Sequence, residues 1–212
     1  MTGIREDFLS TARSAAGLVR APEVAGAWES PSALPGFSVG GLAGHLAYQV
    51  LSVPEALAAP VPREPVVPLL GHYARVEWID AGADAAINVR IRDGGEEIAA
   101  EGPQVLAARL DAAVAELGPA LAAAPRRAVR IPLWGAWSLE LEDLLVTRMM
   151  ELAVHADDLA VSVGLTAPPL APGAADTVVT LLARLSVRRH GATGVLRALS
   201  RAERAPATIT AF

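Results

Sequence analysis

Apolar residues recur along most of the chain at intervals of three and four, which is the pattern of amphipathic helices. The first such stretch covers about 3–20. Its apolar face contains Ile4, Phe8, Ala12, Ala15 and Leu18. Runs of β-branched residues that alternate with period two are short and rare. The pattern therefore predicts an all-α protein.

A second helix is predicted to begin after Ser38, whose short polar side chain favours a helix N-cap. Its apolar seam contains Val39, Leu42, Leu46, Val50, Val53 and Leu57. Pro54 is expected to kink or restart this helix, because proline lacks the N–H group of the helical hydrogen bond. Residues 60–71 hold four prolines and predict an extended crossover, which would let the second and third bundle helices run in the same direction.

A third helical region is predicted over about 72–124, with interruptions at Gly94-Gly95 and at Gly102-Pro103. Two antiparallel pieces and one long kinked rod both fit this pattern. The segment that follows, RIPLWGAW, is expected to form a short extended stretch.

Ser138 is predicted to cap a fourth helix that runs to about Val163 and ends at Gly164. Carboxylates in its first turn suit the helix dipole, and they are Glu140, Glu142 and Asp143. Two more helices are predicted over about 173–189 and 193–201.

The fourth helix carries one polar stripe between two apolar sides. One side is the bundle seam, with Leu141, Leu145, Met149, Leu152, Ala156, Leu159 and Val163. Much of another side is covered by Val146, Met150, Val154 and Val161. The stripe itself consists of Arg148, Glu151, His155, Asp158 and Ser162, which fall within roughly 80° of one another at about 100° per residue. Because apolar surface flanks it on both sides, the stripe is expected to line an internal cavity.

Two residues of this stripe have the spacing of metal ligands. Glu151 and His155 lie one helical turn apart, so both side chains can reach one point. A carboxylate oxygen and an imidazole nitrogen suit zinc, nickel or iron(II). His45 lies beside the seam of the second helix, with Gln49 one turn further on, and its position mirrors that of His155. The pattern thus predicts a metal site formed by His45, Glu151 and His155.

Each of these residues also has a plainer interpretation. A glutamate and a histidine one turn apart are usually a surface pair, and Arg148 with Glu151 fits an ion pair equally well. A histidine in the middle of a helix is more often a buried, hydrogen-bonded residue than a ligand. His72, in a predicted loop, and His190, near a helix end, are interpreted as solvent-exposed or capping residues.

Composition narrows the chemistry that such a site can perform. The chain has no cysteine, which excludes disulfides, cysteine zinc ligands and a protein thiol nucleophile. Its net charge is −5 and its basic residues are spread along the sequence, so the sequence shows no basic cluster typical of nucleic-acid binding. No run approaches the roughly 18–20 apolar residues of a membrane span. The first residues, MTGIREDFLSTARS, do not follow a secretory signal pattern, and we expect a cytoplasmic protein.

Three segments resemble a known family. The segment LPGFSVGGLAGHLAYQVLSVPEAL resembles the first motif of mycothiol-dependent maleylpyruvate isomerase N-terminal domains, which belong to the DinB-like superfamily of metal-binding four-helix bundles. The segment LLVTRMMELAVHADDLAVSVGL resembles their second motif, and VRRHGATGVLRALSRAERAPATITAF is similar to the ending of actinobacterial members.

This resemblance implies an all-α, DinB-like four-helix bundle of up-down-down-up topology with extra C-terminal helices. The bundle is expected over 1–165. A helical extension packed on it, without a separate sterol-carrier-like domain, is expected over 166–212. The resemblance also implies that His45, Glu151 and His155 hold a divalent metal, which is most often zinc, with nickel or iron as alternatives.

Relatives that have been characterised use mycothiol, bacillithiol or glutathione, which agrees with the absence of cysteine here. A divalent metal can present such a thiol as a thiolate, which adds to a double bond or displaces a leaving group. The resemblance therefore implies a metal-dependent mycothiol S-transferase or isomerase that acts on an electrophilic substrate. The short stretch after the metal helix, compared with the sterol-carrier-like domain of maleylpyruvate isomerase, favours the transferase.

The remaining candidate residues surround the predicted ligands. Arg148 and Asp158 are candidates for orienting the ligands or contacting an anionic substrate. Tyr48, Gln49 and Trp134 are candidates for binding the cofactor, and Trp137 for lining the same pocket, although core packing is the more common role of aromatic residues. A non-catalytic metal-binding or stress-response module, and a helical protein with an accidental polar stripe, are the alternatives. Monomer and homodimer are both compatible with the sequence.

Overall fold

Helices dominate the computed structural model, in which residues 3–212 are described. The helices are α1 (Ile4–Val19), α2 (Pro22–Gly26), α3 (Val39–Ala58), α4 (Leu69–Tyr73), α5 (Ala86–Ala99), α6 (Pro103–Ala123), α7 (Leu141–Ser162), α8 (Pro172–His190) and α9 (Ala192–Ser200). Two short antiparallel strands, β1 (Ala128–Val129) and β2 (Leu139–Glu140), precede α7. The prediction of an all-α protein is confirmed.

Four of these helices, α1, α3, α6 and α7, pack around one apolar core. Arg5, in the first turn of α1, donates to the carbonyl of Ala124 just beyond α6, whereas Arg20, just beyond α1, pairs with Asp111 in α6. Helices α1 and α6 are therefore antiparallel. Arg5 also pairs with Glu142 in the first turn of α7 at 2.9 Å, so α1 and α7 begin at the same end of the bundle.

Helix α3 runs against α7. Arg127, which lies shortly before α7, donates to the carbonyl of Leu57 at the end of α3 at 2.9 Å. His45, nearer the start of α3, instead lies against Glu151 and His155, in the second half of α7. The directions of α1, α3, α6 and α7 are thus up, down, down and up, as predicted.

Gly94-Gly95 does not interrupt the helix, contrary to the prediction, because α5 continues through both residues. The reason lies in packing against α3: a Cβ atom at Gly44 would overlap the carbonyl oxygen of Gly95, and one at Gly95 would lie 2.5 Å from the carbonyl oxygen of Gly41. The absence of side chains lets the two helix backbones touch. The break between α5 and α6 occurs at Gly102, whose φ of 90° suits glycine.

Ser138 does not cap α7, which corrects another prediction. Its hydroxyl donates to the carbonyl of Glu64 at 2.9 Å and its backbone N–H donates to that of Pro65 at 3.0 Å. These bonds, and the pairing of β2 with β1, keep the chain extended as far as Glu140, which takes the N-cap position. The predicted extended stretch after α6 is interrupted by a 3-10 turn over Pro132–Trp134.

Helix α3 continues through Pro54 to Ala58, so of the two alternatives predicted there the restart does not occur. The third helical region does not begin at residue 72 as one helix. Residues 69–73 form the short helix α4, and turns fill the interval before α5 begins at Ala86.

The C-terminal residues add two helices to the bundle. Helix α8 packs against α1 and α7, and α9 packs against α8. Ser186 of α8 donates to the carbonyl of Ile209 at 2.7 Å, which holds the end of the chain against this helix. None of the helices in residues 3–212 is both long enough and apolar enough to cross a membrane.

Candidate metal centre

The facing sides of α3 and α7 bring three potential metal ligands together. His45 comes from α3, and Glu151 and His155 come from α7. One ligand atom from each side chain lies within 4.8 Å of the other two. The three side chains are each 14% exposed, so the cluster is largely shielded from solvent without being sealed.

Local sequence explains why these side chains meet. The apolar seam of α3 packs into the core, and both Leu42 and Leu46 on either side of His45 are fully buried. His45 lies next to this seam, at the edge of α3 that faces α7. Leu152 and Ala156, the residues that follow Glu151 and His155, are buried in the same way on α7. Burial of the two seams therefore turns the polar residues beside them toward each other.

The separations suit a single ion. The Nε2 atom of His155 lies 3.2 Å from Oε2 of Glu151, and the Nε2 atom of His45 lies 3.9 Å from the same oxygen. Ligands at 2.0–2.1 Å from a tetrahedral zinc ion are about 3.3 Å apart. The separation between His155 and Glu151 is close to this value, and the one between His45 and Glu151 is longer. Two nitrogens with one carboxylate oxygen match the donors that zinc, nickel and iron(II) accept. That these residues bind a metal stays a prediction.

Asp158 holds the ring of His155 from the other side. Its Oδ2 atom lies 3.0 Å from Nδ1 of His155, so a proton on Nδ1 is donated to this carboxylate and Nε2 faces Glu151. Burial by itself would lower the pKa of His155, but the hydrogen bonds to Asp158 and Glu151 raise it to about 9. This histidine thus has the orienting carboxylate that is typical of metal-bound histidines.

The pKa values of His45 and Glu151 are both lowered, each for a different reason. Burial, followed by the nearby charge of His155, lowers the pKa of His45 to about 3, which keeps its imidazole neutral. Burial would raise the pKa of Glu151, but its hydrogen bond to His155 and the charges of His155 and Arg148 lower the pKa to about 2. A neutral imidazole and an ionised carboxylate are the forms that ligate metals.

The predicted pocket residues lie around this cluster. Gln49 is buried, and its amide donates to the backbone carbonyl of His45 at 3.0 Å. Arg148 is buried one turn before Glu151, and its guanidinium lies 5.3 Å from the ring centre of Trp134. Tyr48 is half-buried on α3, and burial raises the pKa of its hydroxyl.

Ser162 ends the polar stripe away from these residues. Its hydroxyl accepts the backbone N–H of Ala33 at 2.8 Å and donates to the carbonyl of Asp158 at 2.6 Å. None of the five stripe residues is fully exposed, in agreement with a stripe turned toward the protein interior. Ser162, at the far end of the stripe, therefore binds the loop before α3 and is not part of the ligand cluster.

His72 is buried, which corrects the prediction of a solvent-exposed or capping residue. It is 2% exposed, lies in α4, and its Nδ1 atom accepts the indole N–H of Trp137 at 3.1 Å. Its ring lies 4.4 Å from that of Trp134, and burial lowers its pKa to about 4. The apolar residues Val67, Leu69 and Leu70 before it, which are buried or pack against the core, were the signal in the sequence for this burial.

A family model described as the mycothiol maleylpyruvate isomerase N-terminal domain matches residues 8–160. The matched range contains α1 through most of α7, and with them all three residues of the cluster. No curated protein and no solved structure shows significant similarity to the chain.

Proposed function

The chain belongs to the mycothiol maleylpyruvate isomerase N-terminal domain family, and we propose that it is a metal-dependent enzyme that uses a low-molecular-weight thiol. The observation that carries this proposal is the convergence of His45, Glu151 and His155, with Asp158 orienting one of them. We propose zinc as the ion, mycothiol as the thiol, and S-transfer or isomerisation of an electrophile as the reaction.

The chain supplies three protein ligands and no thiol of its own. Three ligands leave coordination positions for small molecules, as in catalytic rather than structural zinc sites. With no cysteine in the sequence, a sulfur nucleophile has to come from outside the protein. A divalent ion held by these residues would lower the pKa of a bound thiol and favour the thiolate.

The residues of the cluster have separate tasks in this proposal. Asp158 keeps one proton of His155 on Nδ1, so a metal ion would displace the proton on Nε2, the nitrogen that faces Glu151. Gln49 anchors its amide to the backbone of His45 and borders the cluster on α3. We place the thiol and its partner beside Arg148, whose guanidinium lies over the ring of Trp134 and whose charge acts on Tyr48.

We also propose a division of the chain. Residues 1–165 form the metal-binding bundle, and residues 166–212 form a helical extension. The contacts of α8 with α1 and α7 support an extension that packs on the bundle. No residue of the extension belongs to the ligand cluster in the described residues, so we expect the extension to support the fold rather than supply ligands.

The first experiment measures metal. Wild-type protein purified with zinc present and then dialysed is expected to retain about one zinc per chain by elemental analysis. His45→Ala is expected to retain far less, because only two protein ligands remain. A wild type without stoichiometric metal, or a variant with as much as the wild type, would contradict the site.

The second experiment measures turnover with a halo-nitro aromatic and mycothiol. In the transferase reaction a carbon–sulfur bond forms, the carbon–halogen bond breaks, and halide and the thiol proton leave. Rates should fall when zinc is removed, when mycothiol is replaced by an unrelated thiol, and in His45→Ala. A protein that holds zinc but shows no dependence on metal or thiol would instead be a non-catalytic metal-binding module.

A further inference from the structure

Arg148 is a buried cation with most of its hydrogen-bond donors unused. Its side chain is 5% exposed and lies on α7 one turn before Glu151. Within residues 3–212 its one hydrogen bond runs from Nε to the hydroxyl of Thr147 at 3.2 Å, and no carboxylate lies within 4.0 Å of it. A guanidinium carries five N–H donors. Because a buried charge without a partner is unfavourable, the remaining donors indicate a place for an anion.

The guanidinium occupies a central position next to the ligand cluster. The indole of Trp134 lies 5.3 Å from it and supports one face of the ion. Its charge acts to lower the pKa of five groups, although burial raises the pKa of the two tyrosines among them; the groups are His45, Tyr48, His72, Tyr73 and Glu151. No other arginine acts on any of these groups, and the chain has no lysine. One isolated cation suits an anion with a single negative charge.

Other unsatisfied polar atoms lie in the same part of the molecule. The buried side-chain atoms without a hydrogen-bond partner in the described residues are Oε1 of Gln49, Oγ of Ser52 and the hydroxyl oxygen of Tyr73. Gln49 and Ser52 follow His45 on one face of α3. Since α3 and α7 are antiparallel, this face approaches the level of Arg148 as it leaves His45. Buried polar groups are normally satisfied, so orphaned atoms on the face of α3 that runs toward the level of an unpaired arginine point to a missing ligand.

We propose that Arg148 binds a carboxylate group of the molecule that reacts at the neighbouring metal centre. Two N–H groups of the guanidinium match the two oxygens of a carboxylate, and Trp134 keeps the guanidinium plane in position. The hydroxyl of Tyr73 is a further donor for the same group. The inference rests on the proposed function and extends it by assigning to Arg148 the binding and positioning of the substrate's carboxylate next to the metal.

The probe for this proposal is propionate, with propionamide as its neutral isostere, titrated into zinc-loaded full-length protein and observed by ligand NMR. Wild type is expected to bind propionate at least about 10-fold more tightly than propionamide. In Arg148→Gln the affinity for propionate should fall by about 10- to 100-fold, and the preference should vanish, since hydrogen bonds to charged groups are lost. Arg148→Lys keeps the charge without the planar donors and should be intermediate.

Two controls separate this inference from other effects. Arg109→Gln removes the same charge from an exposed site paired with Glu101 and should bind propionate like wild type. Zinc content is measured for every variant, so a wild type without zinc contradicts the proposed function, whereas a zinc-loaded wild type without the preference contradicts only the role of Arg148. Thermal unfolding checks that Arg148→Gln is folded. If it is not folded, the proposal is tested by Arg148→Lys and by the preference of wild type for propionate over propionamide.

Three results would overturn the proposal. The first is an unchanged preference in folded Arg148→Gln. The second is a preference that vanishes with zinc removal but persists in the arginine variants, which would place the anion on the metal. The third is tighter Arg148-dependent binding of inorganic phosphate than of propionate, which would replace the carboxylate by another class.

Discussion

Two histidine clusters lie near each other in this molecule and differ in what surrounds them. The histidine–carboxylate cluster contains His45, Glu151 and His155, with Asp158 behind them. The histidine–tryptophan cluster contains His72, Trp134 and Trp137, with an indole N–H donated to the imidazole and a second indole ring 4.4 Å away. Burial lowers the pKa of both His45 and His72, so both imidazoles are neutral near pH 7.

The difference shows that burial by itself does not make a histidine a ligand. His72 uses its Nδ1 atom to satisfy a buried donor, and no carboxylate hydrogen bonds to it in the described residues. His45 and His155 instead direct nitrogens at one carboxylate oxygen, which can join them in binding a cation. The second cluster is therefore interpreted as support for the segment before α7. Arg148, over Trp134, lies between the two.

The largest effect is expected from removing a carboxylate ligand. Glu151→Gln preserves the size of the side chain but removes its charge, so zinc retained after dialysis should fall from about one per chain to a small fraction, as measured by elemental analysis. His72→Ala should keep its zinc, because it contributes no ligand. If His72→Ala loses as much zinc as Glu151→Gln, the distinction between the two clusters fails.

A change in the packing of α3, the helix that carries His45, is expected to reduce the stability of the fold. Gly44→Ala places a Cβ on the carbonyl of Gly95, pushes α3 from α5, and should reduce the free energy of unfolding by about 3 kcal/mol or more. Gly94→Ala is the matched control, since its Cβ meets no atom within 4 Å, and it should be neutral or stabilising by up to about 1 kcal/mol. Urea unfolding measures both, and equal stabilities would contradict the close contact of α3 and α5.

In the metal-free protein, acid is expected to lower stability by protonating His72 in the histidine–tryptophan cluster. Burial and the charge of Arg148 lower the pKa of His72 to about 4, while Glu151 acts in the opposite sense. The unfolded chain therefore protonates this residue near pH 6.5 and the folded chain only near pH 4, so stability is lost as the pH falls through this window.

The matched variant for this effect is His72→Asn, which keeps an acceptor for Trp137 but does not titrate. Between pH 7 and pH 4, wild type should lose about 3 kcal/mol more of its free energy of unfolding than the variant. Urea titrations at several pH values measure the difference. Parallel pH profiles for the two proteins would show that His72 titrates normally in the fold.

The smallest effect is expected from the residue that orients a ligand without binding the ion. Asp158→Asn removes the carboxylate on Nδ1 of His155 and should weaken zinc binding by about 10- to 100-fold in competition with a chelator. Asp157→Asn is the control, because this neighbouring carboxylate is exposed and contacts neither histidine. Equal zinc affinities of the two variants would contradict an orienting role of Asp158.

Much of the ligand cluster could be predicted from the sequence, since it depends on helical periodicity. Glu151 and His155 are one turn apart on a helix with a clear apolar seam, and His45 holds the equivalent position beside the seam of another helix. Periodicity reports which side of a helix is buried. Helix α4 has only five residues and follows a segment rich in proline, so no helical repeat could predict the burial of His72.

Contacts distant in sequence explain the other errors. Gly94-Gly95 reads as a break because glycine lowers helix propensity, yet α5 continues there because its backbone packs directly on α3. Ser138 reads as an N-cap, but its hydroxyl bonds Glu64, which is 74 residues away. Each local preference is worth about 1 kcal/mol, which packing and several backbone hydrogen bonds can exceed.

The sequence by itself determined the all-α class, the bundle seams, the absence of a protein thiol, and the pairing of Glu151 with His155. All of these follow from composition or from the 3.6-residue repeat of a helix. Tertiary structure alone decided that His45 lies 3.9 Å from Glu151, that His72 is buried against two tryptophans, and that Arg148 lacks a carboxylate partner. Those facts depend on how separate elements pack, and packing is set by the sum of many distant contacts rather than by neighbouring residues.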